Sequence, residues 1–331
     1  MKRTFELKPA QGIFPILLVA LFYFAPVPSA KALEKIFAAS STASVNQVAY
    51  YIAKEKGYFV EEGLDVVLVV MSTAVSSKAL ISKDIDFSTA GSPGLNTAIA
   101  GFPTRGVFTV GDSGDMFLFS NPNIKTVKDL KGKSIAIGTI GGIAHQAAIK
   151  LLRSNGLAEK DVTFMVMGGS GARLAALKGG TVAAVPLSTP QDVIAKRMGF
   201  SNLAYIGDLL PSFKGGVGVH LDSIKQRPNV VEGFVKASLK GLMYFRAHHK
   251  SDEVAGIISK HTRLDRGIIV EALGSYSSLP DGILSQEKQK QIIDTVAQEL
   301  GIKNPPPPEQ VFDFSFAQKA KEELTTIRWK P

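Results

Sequence analysis

The chain uses one strand–loop–helix pattern twice. Residues 36–39 read as a short buried strand, followed by the hydroxyl-rich loop Ser40-Ser41-Thr42-Ala43-Ser44. Val45, Val48, Ala49, Ile52 and Ala53 then recur at helical spacing, and Gly57 closes that helix as a C-terminal cap. Further on, residues 134–137 form a second short strand and Gly138-Thr139-Ile140-Gly141-Gly142 a second loop. A helix through Ala147, Ala148, Leu151 and Leu152 follows and ends near Asn155-Gly156. Laid over each other, Gln47 falls on Gln146, Ala49 on Ala148 and Gly57 on Gly156. Beyond that, Ala79-Leu80 falls on Ala176-Leu177, Ile85 on Val182, and Gly91-Ser92-Pro93 on Ser188-Thr189-Pro190. Such duplication restricts the chain to two similar halves.

Each half alternates strands with helices. Leu64–Val70 is a near-continuous apolar run, as expected of a strand covered on both faces, and a helix through Ala79-Leu80-Ile81 leads to a strand over residues 85–89. The alternation predicts an α/β architecture with parallel sheets. Two crossing segments, residues 110–119 and 211–221, should join two α/β lobes and act as a hinge beside an interlobe cleft. Lobe one is expected to take residues 33–112 and 219–331, and lobe two residues 113–218. The returning part changes character, with helices predicted over 230–245, 253–260, 267–276 and 285–300, a stiff Pro305-Pro306-Pro307-Pro308 linker, and a last helix from about Ala317.

The N-terminus speaks to compartment. Lys2, Arg3 and Lys8 precede an apolar run over residues 13–27, interrupted by Pro15 and Pro26 and shorter than the roughly 20 residues a span needs. Ala30 and Ala32 follow in the A-x-A cleavage pattern, so residues 1–32 read as a signal peptide and the mature chain is expected in the periplasm. The sequence has no cysteine. That excludes disulfides, thiolate nucleophiles and cysteine zinc sites, and the lipid anchor that a cleavage-site cysteine would carry. The formal net charge is +9, part of which belongs to Lys2, Arg3, Lys8 and Lys31 of the leader. The remaining basic residues are dispersed, as in Lys54-Glu55-Lys56, without a basic stripe interleaved with aromatics; nucleic acid is disfavoured as a partner.

A ligand in an open α/β sheet sits beyond the carboxyl ends of the strands, where loops run into helix N-termini and unpaired backbone N–H groups favour negative charge. Lobe one offers Ser40 to Ser44 and Gly91-Ser92-Pro93-Gly94 there; lobe two offers Gly138 to Gly142 and Leu187-Ser188-Thr189-Pro190. Ser92 and Thr189 precede proline as hydroxyl N-caps. Asn46 and His145 are equivalent under the repeat and fall in the first turns of equivalent helices. The candidate ligand contacts are therefore Ser41, Thr42, Asn46, Gly91, Ser92, Thr139, Gly141, His145, Ser188 and Thr189, around a small, anionic organic solute. Gly168-Gly169-Ser170-Gly171-Ala172-Arg173 lacks the Gly-Lys-Ser/Thr of a phosphate loop and reads as a turn, with Arg173 a lesser candidate. The adjacent His248 and His249 make a poor metal pair and read as surface, and Trp329 should pack locally. No cofactor or metal is expected.

The segments Ile52-Ala53-Lys54-Glu55-Lys56-Gly57-Tyr58-Phe59-Val60-Glu61-Glu62-Gly63-Leu64-Asp65-Val66, Asp84-Ile85-Asp86-Phe87 and Lys125-Thr126-Val127-Lys128-Asp129-Leu130-Lys131-Gly132-Lys133 carry a resemblance. Ala176-Leu177 with Gly180, and Asp281-Gly282 with Leu284-Ser285, add to it. The chain resembles periplasmic substrate-binding proteins of ABC importers in the nitrate/sulfonate/taurine class, which share their lobe design with thiamine-pyrimidine-precursor proteins. The resemblance implies a type II periplasmic-binding-protein fold, capture by lobe closure, action as a monomer, and docking on an inner-membrane ABC permease with its ATPase on the far side. Two positions depart from the family pattern: Thr181-Val182-Ala183-Ala184 lacks the usual acidic residue before alanine, and Lys83 stands where glycine is common. Alternatives are a sensory partner of a membrane receptor and a pyrimidine-precursor enzyme relative.

Overall fold

The computed structural model describes residues 32–331 except Thr42, Gly91, Thr139 and Ser275, and of Ser92 and Pro93 it describes the backbone alone. Residues 1–31 of the expected leader, and the candidates Thr42, Gly91 and Thr139, lie outside the described residues. Among those described, no helix is long and apolar enough to cross a membrane.

The first half runs β1 (Glu34–Ser40), α1 (Val48–Glu55), α2 (Tyr58–Glu61), β2 (Leu64–Val70), α3 (Thr73–Ser82), β3 (Phe87–Ser88), α4 (Ser92–Ile99) and β4 (Thr104–Phe108). The chain crosses over and continues as β5 (Met116–Ser120), β6 (Ser134–Ile137), α5 (Ile143–Ser154), β7 (Thr163–Val166), α6 (Ser170–Lys178), β8 (Ala184–Ser188), α7 (Gln191–Arg197) and β9 (Ser201–Tyr205). It then returns through β10 (Val217–His220) and α8 (Leu221–Gln226). The long α9 (Pro228–His248), α10 (Asp252–Thr262), α11 (Arg266–Leu273), α12 (Gln286–Leu300) and α13 (Ser315–Thr326) complete the chain.

Two five-stranded sheets result, ordered β2-β1-β3-β10-β4 and β7-β6-β8-β5-β9. The orders superimpose: β6 stands where β1 stands, β7 where β2, β8 where β3, and β5 where β10. The sheets are mixed, not purely parallel. β1 is parallel to β2 and β3, while β10 runs against β3 and β4; β5 likewise runs against β8 and β9. In both sheets the reversed strand is the one that follows a crossing, because a chain arriving from the other lobe enters from the opposite end.

The repeat is visible in detail. Gly57 and Gly156 end equivalent helices in left-handed conformations, φ 77° and 80°, where a side chain would be strained. Lys83 caps α3 at φ 68°, a left-handed conformation that favours glycine; its Nζ reaches Asp222 at 2.8 Å. β2 is the edge strand beside β1 and packs on both faces: Leu64, Val66 and Leu68 turn to the α9 core and Val69 to the small cluster of Ala39, Leu80 and Ile85, while Val70 at its end is largely exposed.

The first lobe packs around α9. Phe234 stacks on Phe87 at 4.0 Å and on Phe59 at 5.1 Å, with Tyr50 beside it at 6.2 Å. Buried Lys240 on the same helix is held by Glu61 at 2.8 Å and Glu62 at 3.1 Å. α10, α11 and α13 join this core, and Trp329 meets Tyr58 edge-on at 5.7 Å. α12 instead packs on α4 through Ile292, Ile293 and Val296. In the second lobe, Leu118 and Phe119 of β5 point to opposite faces of the sheet, as alternation requires. Each enters a separate, smaller cluster, Leu118 with Ile135 and Leu152, Phe119 with Ala136 and Val185.

Candidate functional site

Two chain crossings connect the sheets and are bonded to each other. Gly111 N–H donates to Lys214 O at 3.2 Å, Lys214 N–H returns to Gly111 O at 2.9 Å, and Val110 N–H also donates to Lys214 O. Gly215, at φ 59°, lies so close to Asn46 O that a Cβ would stand 2.4 Å from it, and its own carbonyl accepts the Tyr50 hydroxyl. Glycine is required there because the return crossing runs over the start of α1. β10 begins at Val217 and is already part of the first sheet.

Beside these crossings lies a cavity of about 200 Å³. Its first-lobe wall is Ser41, Ser44, Asn46 and Gln47, with Ala90 after β3. Its second-lobe wall is Met116, Ile143, Ser188 and Ile206. The crossings close it with Asp115, Ser212, Phe213 and Lys214. Gln47 is a positioning group: its Nε2 donates to Thr89 O at 2.9 Å and its Oε1 accepts from Thr89 Oγ1 at 2.6 Å, locking the loop after β3 to the start of α1.

The strongest electrostatic feature is the pair Lys214–Asp115, with Nζ to Oδ1 at 2.6 Å and side chains only 2% and 11% exposed. Lys214 Nζ also lies 4.2 Å from the Tyr276 ring centre and 3.4 Å from Ser277 Oγ. Burial pushes the Asp115 carboxyl upward, and the charge and hydrogen bond of Lys214 act against that rise. Asp115 Oδ2, Asn46 Oδ1 and Ser212 Oγ are buried without a hydrogen-bond partner in the protein. An adjoining space of about 230 Å³ is lined by Asp115, Thr189, Tyr205 and Tyr276.

Of the expected contacts, Ser41, Asn46 and Ser188 come together on this cavity. Ser92 opens α4 on the first-lobe side. Thr189 faces the adjoining space and is not an N-cap. α7 starts at Gln191 with Pro190 in the capping position, and the Thr189 hydroxyl serves the Asp192 carboxyl, which burial raises. Gly141 does not line the cavity; its N–H donates to His145 Nδ1 at 3.0 Å. His145 turns inward, buried edge-on against Phe164 at 4.5 Å, so the residue of that turn on the cavity is Ile143. The equivalence of Asn46 and His145 therefore holds along the chain but not in direction. Arg173 is also internal: its guanidinium donates to Pro186 O, Gly168 O and Ser170 Oγ, and burial lowers it to about 10. Ser170 Oγ in turn accepts from Ser188 N–H at 3.3 Å, so Arg173 supports a wall residue from behind.

Sequence reasoning missed Asp115, Ser212 and Lys214 as lining groups. The available signal was Asp112 and Asp115 in one glycine-containing crossing and Lys214 in the other. The lobes also touch at two seams. Val193 of α7 joins the first-lobe core, with Arg197 to Glu271 at 3.0 Å beside it. Gln146 of α5 donates to Glu299 of α12 at 3.2 Å.

The two-lobed arrangement recurs among solved proteins. The periplasmic sulfonate-binding protein SsuA from Methylobacillus flagellatus superimposes with a TM-score of 0.69 over 89% of this chain and 96% of that one, at 21% identity. The desulfurization enzyme DSZB does so with a TM-score of 0.72 over 88% and 99%, at 15% identity. These likenesses establish a type II periplasmic-binding-protein fold. The riboflavin-binding protein RibY from Chloroflexus aurantiacus is 27% identical over 227 residues, 66% of this chain and 64% of that one, so the match spans less than two thirds of that relative. Residues 44–251, from the loop before α1 to just past α9, match the NMT1/THI5-like family, and the chain belongs to it.

Proposed function

We propose that the chain is the periplasmic solute-binding component of an ABC-type importer, capturing a small organic solute between its lobes and presenting it to a membrane permease. The observation that carries this reading is the cavity at the crossings, to which both lobes and both connecting segments contribute side chains. A space walled by two bodies that share a hinge changes volume as they move, so ligand and closure are coupled. At about 200 Å³ it is below the 300–1,000 Å³ usual for drug-sized ligands, which favours a small solute or further opening. The sulfonate-binding and riboflavin-binding relatives support capture as the task. The leader expected at residues 1–32 supports the periplasm.

The serines on both walls would serve an oxyanion, as the sequence suggests. The Asp115 carboxylate, which closes the cavity from the first crossing, opposes one with its unpartnered acceptor Oδ2. Catalysis is not proposed, since among the described residues no histidine lines the cavity to activate a serine. The test is a melting screen of the purified mature chain against small metabolites, with small-angle scattering on each hit. A captured solute raises the melting midpoint and compacts the particle. Hits that are turned over, or that leave the particle unchanged in size, would defeat the reading.

A further inference from the structure

Asn46 Oδ1, Asp115 Oδ2 and Ser212 Oγ are unpartnered, and all three residues line the cavity. An asparagine amide can present oxygen or NH2, and a hydroxyl can donate or accept, so Asn46 and Ser212 suit many ligands. An ionised carboxylate only accepts. Asp115 Oδ1 already receives Lys214 Nζ, and Lys214 is fixed in turn by the Tyr276 ring, Ser277 Oγ and its backbone pairing with Gly111. The second oxygen is left without a donor, at a place where both cavities meet the same residue. A buried acceptor in that state is costly until something supplies a proton to share.

Resting on the capture reading above, we propose that the solute is a hydrogen-bond donor without an acid group, such as an amide, imide, amino-heterocycle or amine, whose N–H is received by Asp115 Oδ2. The flanking amide of Asn46 and hydroxyl of Ser212 then complete the polar contacts, while Met116, Ile143 and Phe213 cover the apolar part. An oxyanion would bring an acceptor against an acceptor and add a second negative charge. The three donors of the Lys214 ammonium already meet Asp115 Oδ1, Ser277 Oγ and the face of the Tyr276 ring, which turns them away from such a ligand.

The experiment titrates the mature chain calorimetrically with two sets of probes. Nicotinamide, uracil, cytosine, riboflavin and spermidine carry N–H donors without an acid group; nitrate, ethanesulfonate and benzoate are oxyanions. The tightest binder is expected in the first set. D115N keeps an oxygen for Lys214 but turns a donor toward the ligand, and should weaken that binder by about tenfold or more. D115N/K214Q removes both charges together and should weaken it similarly, while unliganded melting curves separate lost recognition from lost fold. An oxyanion as tightest binder, or D115N binding the donor probe as well as the unaltered chain, overturns the proposal and leaves solute capture standing. Failure of both sets to bind a folded protein takes the capture reading down with it.

Discussion

The two lobes share a strand order and differ in what covers it. The first sheet is backed by α9 and the helices after it, around a stack of aromatic rings centred on Phe234. The second sheet divides its apolar side chains between two smaller clusters, one on each face. The duplicated strands therefore set the frame, while the unduplicated C-terminal helices decide which lobe is the better anchored. That asymmetry makes the first lobe the natural base and the second the natural mover about the crossings.

Phe234→Ala tests this most severely. Removing a ring that three other aromatics touch should cost about 3–5 kcal/mol, read as the loss of denaturation midpoint. Hydrogen exchange should then show first-lobe amides losing protection. Leu118→Ala should cost about 2–4 kcal/mol and open amides of β5, β8 and β9 first, leaving α9 protected. Equal loss of protection in both lobes for either variant would break the asymmetry.

Smaller effects sharpen the picture. Lys83→Gly relieves a left-handed residue at the end of α3 and should raise stability by up to about 1 kcal/mol by denaturant melting. Its exposed contact with Asp222 offsets little of that gain. Arg197→Ala removes the ion pair across the α7–α11 seam. It should weaken ligand affinity by no more than about fivefold, and less at high salt, because the pair is exposed.

The smallest effect is a pH response. His220 Nδ1 accepts the Asp222 N–H at the start of α8, which requires the neutral ring. Burial lowers its pKa; Asp222 pulls it up and Lys83 pushes it down, with the net shift downward. A lowered folded pKa gives stability present above the unfolded value near 6.5 and lost as pH falls through the folded one. H220N keeps an N-capping side chain without titration, so its melting midpoint should vary less than the unaltered chain's over that window.

Much of the frame was legible because it is repeated. Gly57 against Gly156, and Ala79-Leu80 against Ala176-Leu177, report helix ends and helix faces wherever they occur. The predicted helix over 230–245 lies within α9, and that over 285–300 is α12 with its N-cap Ser285, because their apolar periodicity is long. The β2 edge was hidden because an apolar run does not say how many neighbours a strand has. In the site, Ser41, Asn46 and Ser188 followed from loop position. His145 did not, because a first-turn residue can face either way and imidazole packs readily against Phe164. Asp115 and Lys214 were unreadable as a pair, since their contact is made only once the chain has gone out through the second lobe and come back.

That return has a consequence for how the molecule assembles. β10 occupies an inner lane of the first sheet, between β3 and β4, yet along the chain it comes after the whole second lobe. Until it arrives, β3 and β4 face each other across an empty row of N–H and C=O groups. The first lobe to begin is thus the last to finish, and a chain stopped after Tyr205 would leave one sheet closed and the other split down its length.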